Sequence, residues 1–380
     1  MKVAFHVDQL WFKAPGGIGT YVEQLWPRIG QEVEVLPFYA RWRRGSTMNS
    51  TTNRGDGPSL GVELLWGIRV LYLAWDYLRR PALPRALADA DVVHATNHAA
   101  IPPVRNGQSL VVTVHDLTFE RYPELFPKRW LRLYRRGLRV AIDEAAALIV
   151  PSESVRSELE AAGARPASVR VVPLGPGTSV RLWVPDDALA QQEREWIRDL
   201  GIERPYVLAV GTIEPRKNLV RLVRAFRQLA GEGFPHSLVL VGPEGWNAGE
   251  LRAEIERGGP GRIVLTGALD GPDLAVAYAD ADAVAYVSLY EGFGLPVLEA
   301  MSMGTPVVAS NVSSLPEVAS DAALLVDPTD ETAIADALRR VLTDRTLADD
   351  LRRRGRERAA EFSWDRTARA TLDVYREVAG

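Results

Sequence analysis

Short apolar runs rich in Val, Ala, Leu and Ile alternate with stretches of helical spacing from one end of this chain to the other. That alternation restricts the fold more than any other feature. Parallel strands cannot be joined by tight hairpins and need helical crossovers, so the pattern specifies α/β architecture with doubly wound parallel sheets. In the first half the runs predict strands at 2–6, 34–38, 92–94, 110–115, 147–150 and 169–172. In the second half they fall at 206–210, 237–241, 263–265, 283–287, 306–309 and 323–325. With 380 residues the chain exceeds a usual single core, and each half can close a sheet of its own.

Composition narrows the class. Apolar residues make up 47% and charged residues 25%, as in ordinary globular proteins. Cysteine is absent, which excludes disulfides, thiolate metal sites and cysteine nucleophiles. Met1-Lys2-Val3-Ala4-Phe5 runs straight into a strand with no leader pattern, and no apolar run approaches the ~20 residues of a spanning helix. A cytoplasmic protein is expected. The first half is net positive and the second net negative, yet no basic stripe with interleaved aromatics accompanies a nucleic-acid module. Pro173 to Pro185 reads as an interdomain linker, and Arg41–Ser59, rich in Gly, Ser, Thr and Asn without a period, as a mobile loop.

The chemistry-bearing residues gather at predicted strand ends. Glu291-Gly292-Phe293-Gly294-Leu295-Pro296-Val297-Leu298-Glu299 follows a buried run and leads into a helix. Gly292 and Gly294 permit a sharp turn and close backbone approach to a ligand. A helix starting near Gly294 aims free N–H groups at that ligand, as suits a phosphate. Glu299 lies four residues after Leu295, on the same helix face. Two acids beside a phosphate are repelled by it, so hydroxyls are their expected partners, and a sugar next to a diphosphate supplies them. Arg216 and Lys217 follow the first strand of the second half. A lysine there is telling, because only Lys2, Lys13, Lys128 and Lys217 interrupt the chain's use of arginine. A cation pair before a helix is usually just solvated, but after a strand end it suits the charge a departing diphosphate develops.

Other features weigh less. Gly16-Gly17-Ile18-Gly19 lacks the third glycine of the dinucleotide fingerprint. His6, His94, His98 and His115 lie at strand ends of the first half. A lone His is more often a core residue, and a zinc reading of His94 and His98 needs a third ligand that the sequence does not supply. Asp116 suits a cap on the following turn. Asp89-Ala90-Asp91 and Asp280-Ala281-Asp282 imitate an Asp-x-Asp metal motif, but both stand where a helix meets a buried strand, and packing is the expected role. No divalent metal site and no cofactor are expected. Lys128 to Arg136 is a basic, aromatic helical stretch; a solvated face is the default, with room for docking on anionic lipid.

The Glu291–Glu299 run, with Gly-Phe-Gly-Leu inside it, resembles the signature of the retaining glycosyltransferases of family four, which have the GT-B fold of two Rossmann-like domains facing a cleft. Val210 to Leu219 is similar to that family's basic loop, Gly16 to Gly19 to its glycine loop and Thr113 to Leu117 to its His-Asp strand end; Trp364-Asp365 is also typical. The resemblance implies an acceptor domain over 1–175 completed by a returning helix at 363–380, a connection over 176–204 and a nucleotide-sugar domain over 205–362. It places Glu291 on the donor sugar, Glu299 on the ribose, and Arg216, Lys217 and the backbone of Gly292, Phe293, Gly294 and Leu295 on the diphosphate. The base falls near Gly267, Ala268 and Leu269, Gly16 and Gly17 near the phosphates, and His115 on the sugar, with His94, His98 and Asp116 as acceptor-side candidates. Front-face attack with retention is the family's usual interpretation. The motifs are similar to enzymes of surface-polysaccharide assembly, many of which use GDP-mannose; UDP- and dTDP-sugars stay open, as does a lipid-linked acceptor. Rival readings are a GT-B epimerase or hydrolase, a Rossmann oxidoreductase, disfavoured by the broken glycine fingerprint, and a non-catalytic nucleotide-sugar binder.

Overall fold

The computed structural model describes residues 1–12, 16–41, 61–177, 188–269 and 271–380. The expected loop beyond Arg41 and the expected linker beyond Gly177 lie outside the described residues. The chain forms two compact units, Met1–Leu174 with Trp364–Gly380, and Gly175–Ser363.

The first unit holds seven parallel strands: β1 (Lys2–His6), β2 (Glu34–Arg41), β3 (Val62–Gly67), β4 (Val92–Ala95), β5 (Ser109–Thr113), β6 (Ala147–Val150) and β7 (Val169–Val171). Their order is β3-β2-β1-β4-β5-β6-β7. The second unit holds β8 (Tyr206–Val210), β9 (Ser237–Val241), β10 (Ile263–Gly267), β11 (Ala283–Tyr286), β12 (Val307–Ser310) and β13 (Leu324–Val326), in the order β10-β9-β8-β11-β12-β13. Central strands such as β4, β6, β11 and β12 are buried at every residue, as parallel strands covered on both faces must be. In each sheet the chain reverses its direction of travel between two adjacent strands, β1 and β4 or β8 and β11. Ligands of open α/β sheets bind at the carboxyl ends of such a pair.

The same clamp closes the amino end of each switch pair. Asp91 accepts the Lys2 amide at 2.7 Å through its carboxylate, and its own amide donates to Lys2 O at 2.9 Å. Asp282 does the same to Tyr206, at 3.0 Å in both directions. The partner acids face cations instead, Asp89 with Lys2 at 2.6 Å and Asp280 with Arg194 at 3.1 Å. These pairs stand at the ends of the sheets opposite the ligand side.

The sequence reading passed over β3 and the helix Ile68–Leu78 that follows. Apolar residues dominate 62–78, interrupted by Glu63, Gly67, Arg69 and Asp76, so strand and helix periods overlap. The strand also lies at a sheet edge with one buried side chain, Leu64, so alternation leaves no clear trace.

The helix Trp364–Ala379 returns to the first unit, packing on the helix Gly16–Ile29. Trp364 and Tyr375 are fully buried there. Tyr375 Oη shares a hydrogen bond with His94 Nδ1 at 2.5 Å, and His94 Nε2 shares another with Thr113 Oγ1 at 2.8 Å. Tyr21 Oη continues the chain to Thr113 at 3.0 Å. His94 is therefore a buried tie with both nitrogens used, and the acceptor-side expectation for it does not fit. Burial pulls its pKa from 6.5 down to about 3, so the ring is neutral in the folded protein. The unfolded chain binds a proton below pH 6.5 that the folded one refuses, so stability falls as pH drops through that window. The expected slope from this histidine is about 1.4 kcal/mol per pH unit. Tyr375→Phe leaves His94 Nδ1 unpaired and is expected to cost about 1–3 kcal/mol. Denaturant melts of the parent and Tyr375→Phe at pH 7 and pH 5 check both; equal stability in all four rejects the tie.

Candidate functional site

At the carboxyl end of β8 the chain passes Gly211 and forms a single 3-10 turn, Pro215–Lys217. Asn218, in the left-handed region at φ 59°, ends that turn and starts the helix Leu219–Gly231. Its side-chain amide donates to Val287 O at 2.9 Å and Pro328 O at 2.7 Å, so the basic loop is pinned beside the end of β11. The chain leaving β11 brings Glu291 up to it. Glu291 Oε2 lies 2.6 Å from Arg216 Nη1, and Glu291 Oε1 lies 2.7 Å from Lys217 Nζ. Lys217 Nζ also donates to Tyr286 Oη at 2.6 Å and stands 4.7 Å from that ring's centroid. The other edge of Arg216 holds Glu214 Oε1 at 2.6 Å.

These four charges are mostly out of water: Glu214, Lys217 and Glu291 are each below a tenth exposed. Burial alone pushes the Glu291 carboxyl up, but the Arg216 guanidinium and Lys217 ammonium outweigh it and hold the acid at about 2. Burial pulls the Lys217 ammonium below its usual range, with Glu291 opposing. The cluster is electrically balanced, two acids against two bases.

Past Glu291 the backbone turns through Gly292 to Gly294 into the helix Leu295–Met303. Gly294 caps this helix at φ 113°, and a Cβ there would lie 2.6 Å from Leu315 Cδ2, so no other residue fits without displacement. Pro296 occupies the first turn, where its missing N–H costs nothing. Ser314 Oγ donates to Glu291 O at 2.9 Å and Phe293 O at 2.8 Å, and Ser313 Oγ accepts the Glu291 amide at 2.9 Å. The turn is thus held from beneath at the amino end of the helix.

Glu299, one turn down, receives Tyr278 Oη at 2.8 Å. A Cβ on Gly177 would lie 2.2 Å from Glu299 Oε1, so a larger residue there would displace the carboxylate. Burial raises the Glu299 carboxyl, opposed by the Tyr278 hydroxyl and the Gly177 amide. Gly267 ends β10 at φ 75°, followed by exposed Ala268 and half-buried Leu269. A cavity of about 290 Å³ opens on the far flank of the basic loop, lined by Glu214, Asn218, Arg221 and Leu289. Its lining includes none of Arg216, Lys217 and Glu291, so it is not the space those charges address.

In the first unit, His115 follows β5. Its Nε2–H donates to Thr96 O at 2.9 Å, which leaves Nδ1 as the unprotonated nitrogen, and burial lowers its pKa. The ring is half-buried and meets Tyr21 edge-on at 4.9 Å. Asp116 Oδ1 accepts the Thr118 amide at 2.9 Å and so caps the next turn. His98 is buried against Phe119 at 5.1 Å, with its pKa pulled to about 4 by burial. Gly16 and Gly17 are the exposed first residues of the helix Gly16–Ile29, rather than a loop ahead of it.

Sequence reasoning missed Tyr278, Tyr286 and Gly177. Tyrosines inside apolar runs read as core, and Gly177 reads as one more linker glycine; only their distances to Lys217 and Glu299 identify them. Glu214 lay within the quoted basic loop but carried no assignment.

Two parallel-sheet units with an end helix returned to the first define the GT-B class of α/β enzymes. Residues 15–179 match Glycosyltransferase Family 4, and residues 192–358 match the glycosyl transferases group 1. The chain is 36% identical to the O-antigen chain mannosyltransferase B of Escherichia coli, over 99% of this chain and 100% of that one. It is 33% identical to the MMP alpha-(1->4)-mannosyltransferase of Mycolicibacterium hassiacum, over 76% of this chain and 70% of that one. Among solved structures, sucrose-phosphate synthase from Thermosynechococcus elongatus superposes with a TM-score of 0.76 at 22% identity, covering 99% of this chain and 98% of that one. The chain belongs to the family 4 and group 1 glycosyltransferases, and it is an enzyme, a glycosyltransferase.

Proposed function

We propose that this enzyme moves a mannosyl group from a nucleotide-diphosphate sugar, GDP-mannose, to a hydroxyl of a polysaccharide or lipid-linked acceptor, with retention and without a metal. The observation that carries the reading is the Arg216–Glu291–Lys217 cluster beside the amino end of the helix Leu295–Met303. Cations and helix amides together suit a diphosphate, and an ionised acid between them suits the hydroxyls of the attached sugar. In this reading Arg216, Lys217 and the amides of Gly292 to Leu295 hold the diphosphate, and Glu291 holds the sugar. Glu299 takes the ribose, the segment Gly267 to Leu269 borders the base, and Gly16 and Gly17 approach the phosphates. His115, with Nδ1 unprotonated, contacts the transferred sugar. Retention with no spare carboxylate placed as nucleophile among the described residues fits front-face attack: Glu291 is held by two cations and Glu299 by Tyr278. A phosphate oxygen of the departing diphosphate then accepts the acceptor's proton. The mannosyl choice draws on the two mannosyltransferase relatives.

Incubation with GDP-, UDP- and dTDP-sugars, with and without lipid-linked saccharides, tests the donor. Turnover of GDP-mannose and an α-linked product by NMR are expected; preference for another donor or a β-linked product overturns the respective part. Among the described residues no group of three His, Asp or Glu side chains could hold a metal ion. In this reading Arg216 and Lys217 do the work of a cation, so activity is expected to survive excess EDTA. Loss that manganese or magnesium restores rejects the metal-free mechanism.

A further inference from the structure

We propose that the outer face of the helices Ile68–Leu78 and Lys128–Glu144 docks on a bilayer surface carrying anionic lipids. The first observation is a cluster of exposed apolar side chains. Among the described residues eleven large hydrophobic side chains are exposed, and six of them lie between positions 65 and 78: Leu65, Trp66, Val70, Leu73, Tyr77 and Leu78. Leu65 is 77% exposed and Leu78 70%. Val70, Leu73 and Tyr77 follow the three- and four-residue spacing of one helix face, and Trp66 precedes them by four residues. The opposite face, with Leu71, Ala74 and Trp75, is buried against the sheet. This helix is therefore apolar on both sides, and water covers only one. Single exposed apolar residues need no explanation, but a contiguous set does.

The second observation is charge. The helix Lys128–Glu144 packs against Ile68–Leu78 and is tied to it twice. Arg136 Nε donates to Asp76 O at 2.9 Å, and Arg79 pairs with Glu144 at 2.5 Å. Its inner side carries Gly137, Leu138 and Ala141; Gly137 passes so close to His98 O that a Cβ there would lie 2.1 Å from it. Its outer side carries Lys128, Arg132, Arg135 and Arg139, spaced four, three and four apart, with Arg129 beside them. Arg135 pairs with Glu120, whereas Lys128, Arg129, Arg132 and Arg139 have no ion-pair partner among the described residues. Asp143 and Glu144 lie at the far end of the helix, beyond this stripe. Exposed Arg69 lies on that helix and exposed Arg80 just past its end.

An apolar stripe with Trp and Tyr beside uncompensated Lys and Arg is complementary to an interface of acyl chains and anionic headgroups. An acidic protein partner would answer the charge but leave the leucines and tryptophan without a matching surface. No helix among the described residues is long and apolar enough to cross a membrane, so the contact is one of lying on the surface. Such docking would hold the enzyme where lipid-linked acceptors are displayed.

Co-sedimentation of the full chain with phosphatidylcholine vesicles, with and without phosphatidylglycerol, reads this directly and involves no turnover, so its outcome is separate from that of the donor assays. Strong binding to the anionic vesicles, weakened by raised salt, is expected. Arg132→Glu with Arg139→Glu should lower that binding by more than about tenfold, because each reversal turns attraction to the anionic surface into repulsion. Leu73→Asp with Tyr77→Asp should lower it similarly, by removing inserted area. All four positions are exposed, Leu73 at 52% and Tyr77 at 54%, and an unchanged thermal melt confirms folding. If the parent fails to pellet with anionic vesicles, or both variants pellet as the parent does, the proposal falls. It falls equally if sedimentation velocity without lipid shows a dimer that Leu73→Asp dissociates, because the face is then an interface between copies.

Discussion

Lys217→Ala is expected to lower kcat by about 10²–10³ while the protein stays folded. Breaking a sugar–phosphate bond adds a negative charge to the departing diphosphate, and a preorganised donor aimed at that charge typically contributes ~3–4 kcal/mol. Lys217 is preorganised in the literal sense. Its ammonium is gripped by Glu291 at 2.7 Å and Tyr286 Oη at 2.6 Å, and Gly211 leaves room for its stem, a Cβ there being 3.0 Å from Lys217 Cε. Arginine at 217 should not rescue the loss, because a planar fork cannot occupy the space shaped around a point charge. Arg216→Ala should act in the same direction, and the double variant should lose less than the product of the two factors, since both cations act on one anion. Steady-state kinetics beside a thermal melt decide the matter. Parental turnover in a folded Lys217→Ala removes the basic loop from the mechanism.

Much of this site was legible because it is built from short, contiguous runs. The basic loop and the Glu291–Glu299 run each follow a strand whose apolar character announces it, and the switch between β8 and β11 places them side by side. What sequence could not show is how their charges meet. Nothing in the spacing of residues 216 and 291 says that the cations are already neutralised by the acid. The partners that hold the acids and lysine, Tyr286 and Tyr278, sit in apolar runs where a tyrosine looks like packing. His94 shows the converse failure: a strand-end histidine looked like a ligand group, yet the returning helix, distant by 281 positions, supplies Tyr375 and seals it. The missed helix Ile68–Leu78 escaped because apolar residues stand on its outer face as well as its inner one, so it reads as a continuation of the apolar run before it.

Glu291 and Glu299 should separate in opposite directions when nucleotide binding is measured without turnover. In the free enzyme Glu291 occupies both cations that the diphosphate is proposed to need. Held at about 2, it stays ionised at every working pH, so the competition never relaxes. Glu291→Gln removes the competing charge and leaves the shape. Free nucleoside diphosphate is therefore expected to bind more tightly, by roughly three- to tenfold, or about 0.7–1.4 kcal/mol. Turnover should nonetheless fall by about 10²–10³, because the sugar loses its ionised acceptor in the transition state. The unliganded variant should also melt lower, with two buried cations left partly uncompensated, and nucleotide should raise its melting point more than it raises the parent's. Glu299→Ala has the reverse signature. Losing a charge-assisted hydrogen bond to the ribose typically costs ~1.5–3 kcal/mol, or about ten- to a hundredfold in affinity for sugar nucleotide and free diphosphate alike. Titration calorimetry with the diphosphate alone reads both. A Glu291→Gln enzyme that binds diphosphate more weakly than the parent shows that this acid touches the nucleotide and does not merely stand in its place. A Glu299→Ala enzyme with full affinity shows that the ribose lies elsewhere. If both acids can be replaced with neither binding nor rate affected, the carboxyl ends of β8 and β11 are not the donor site.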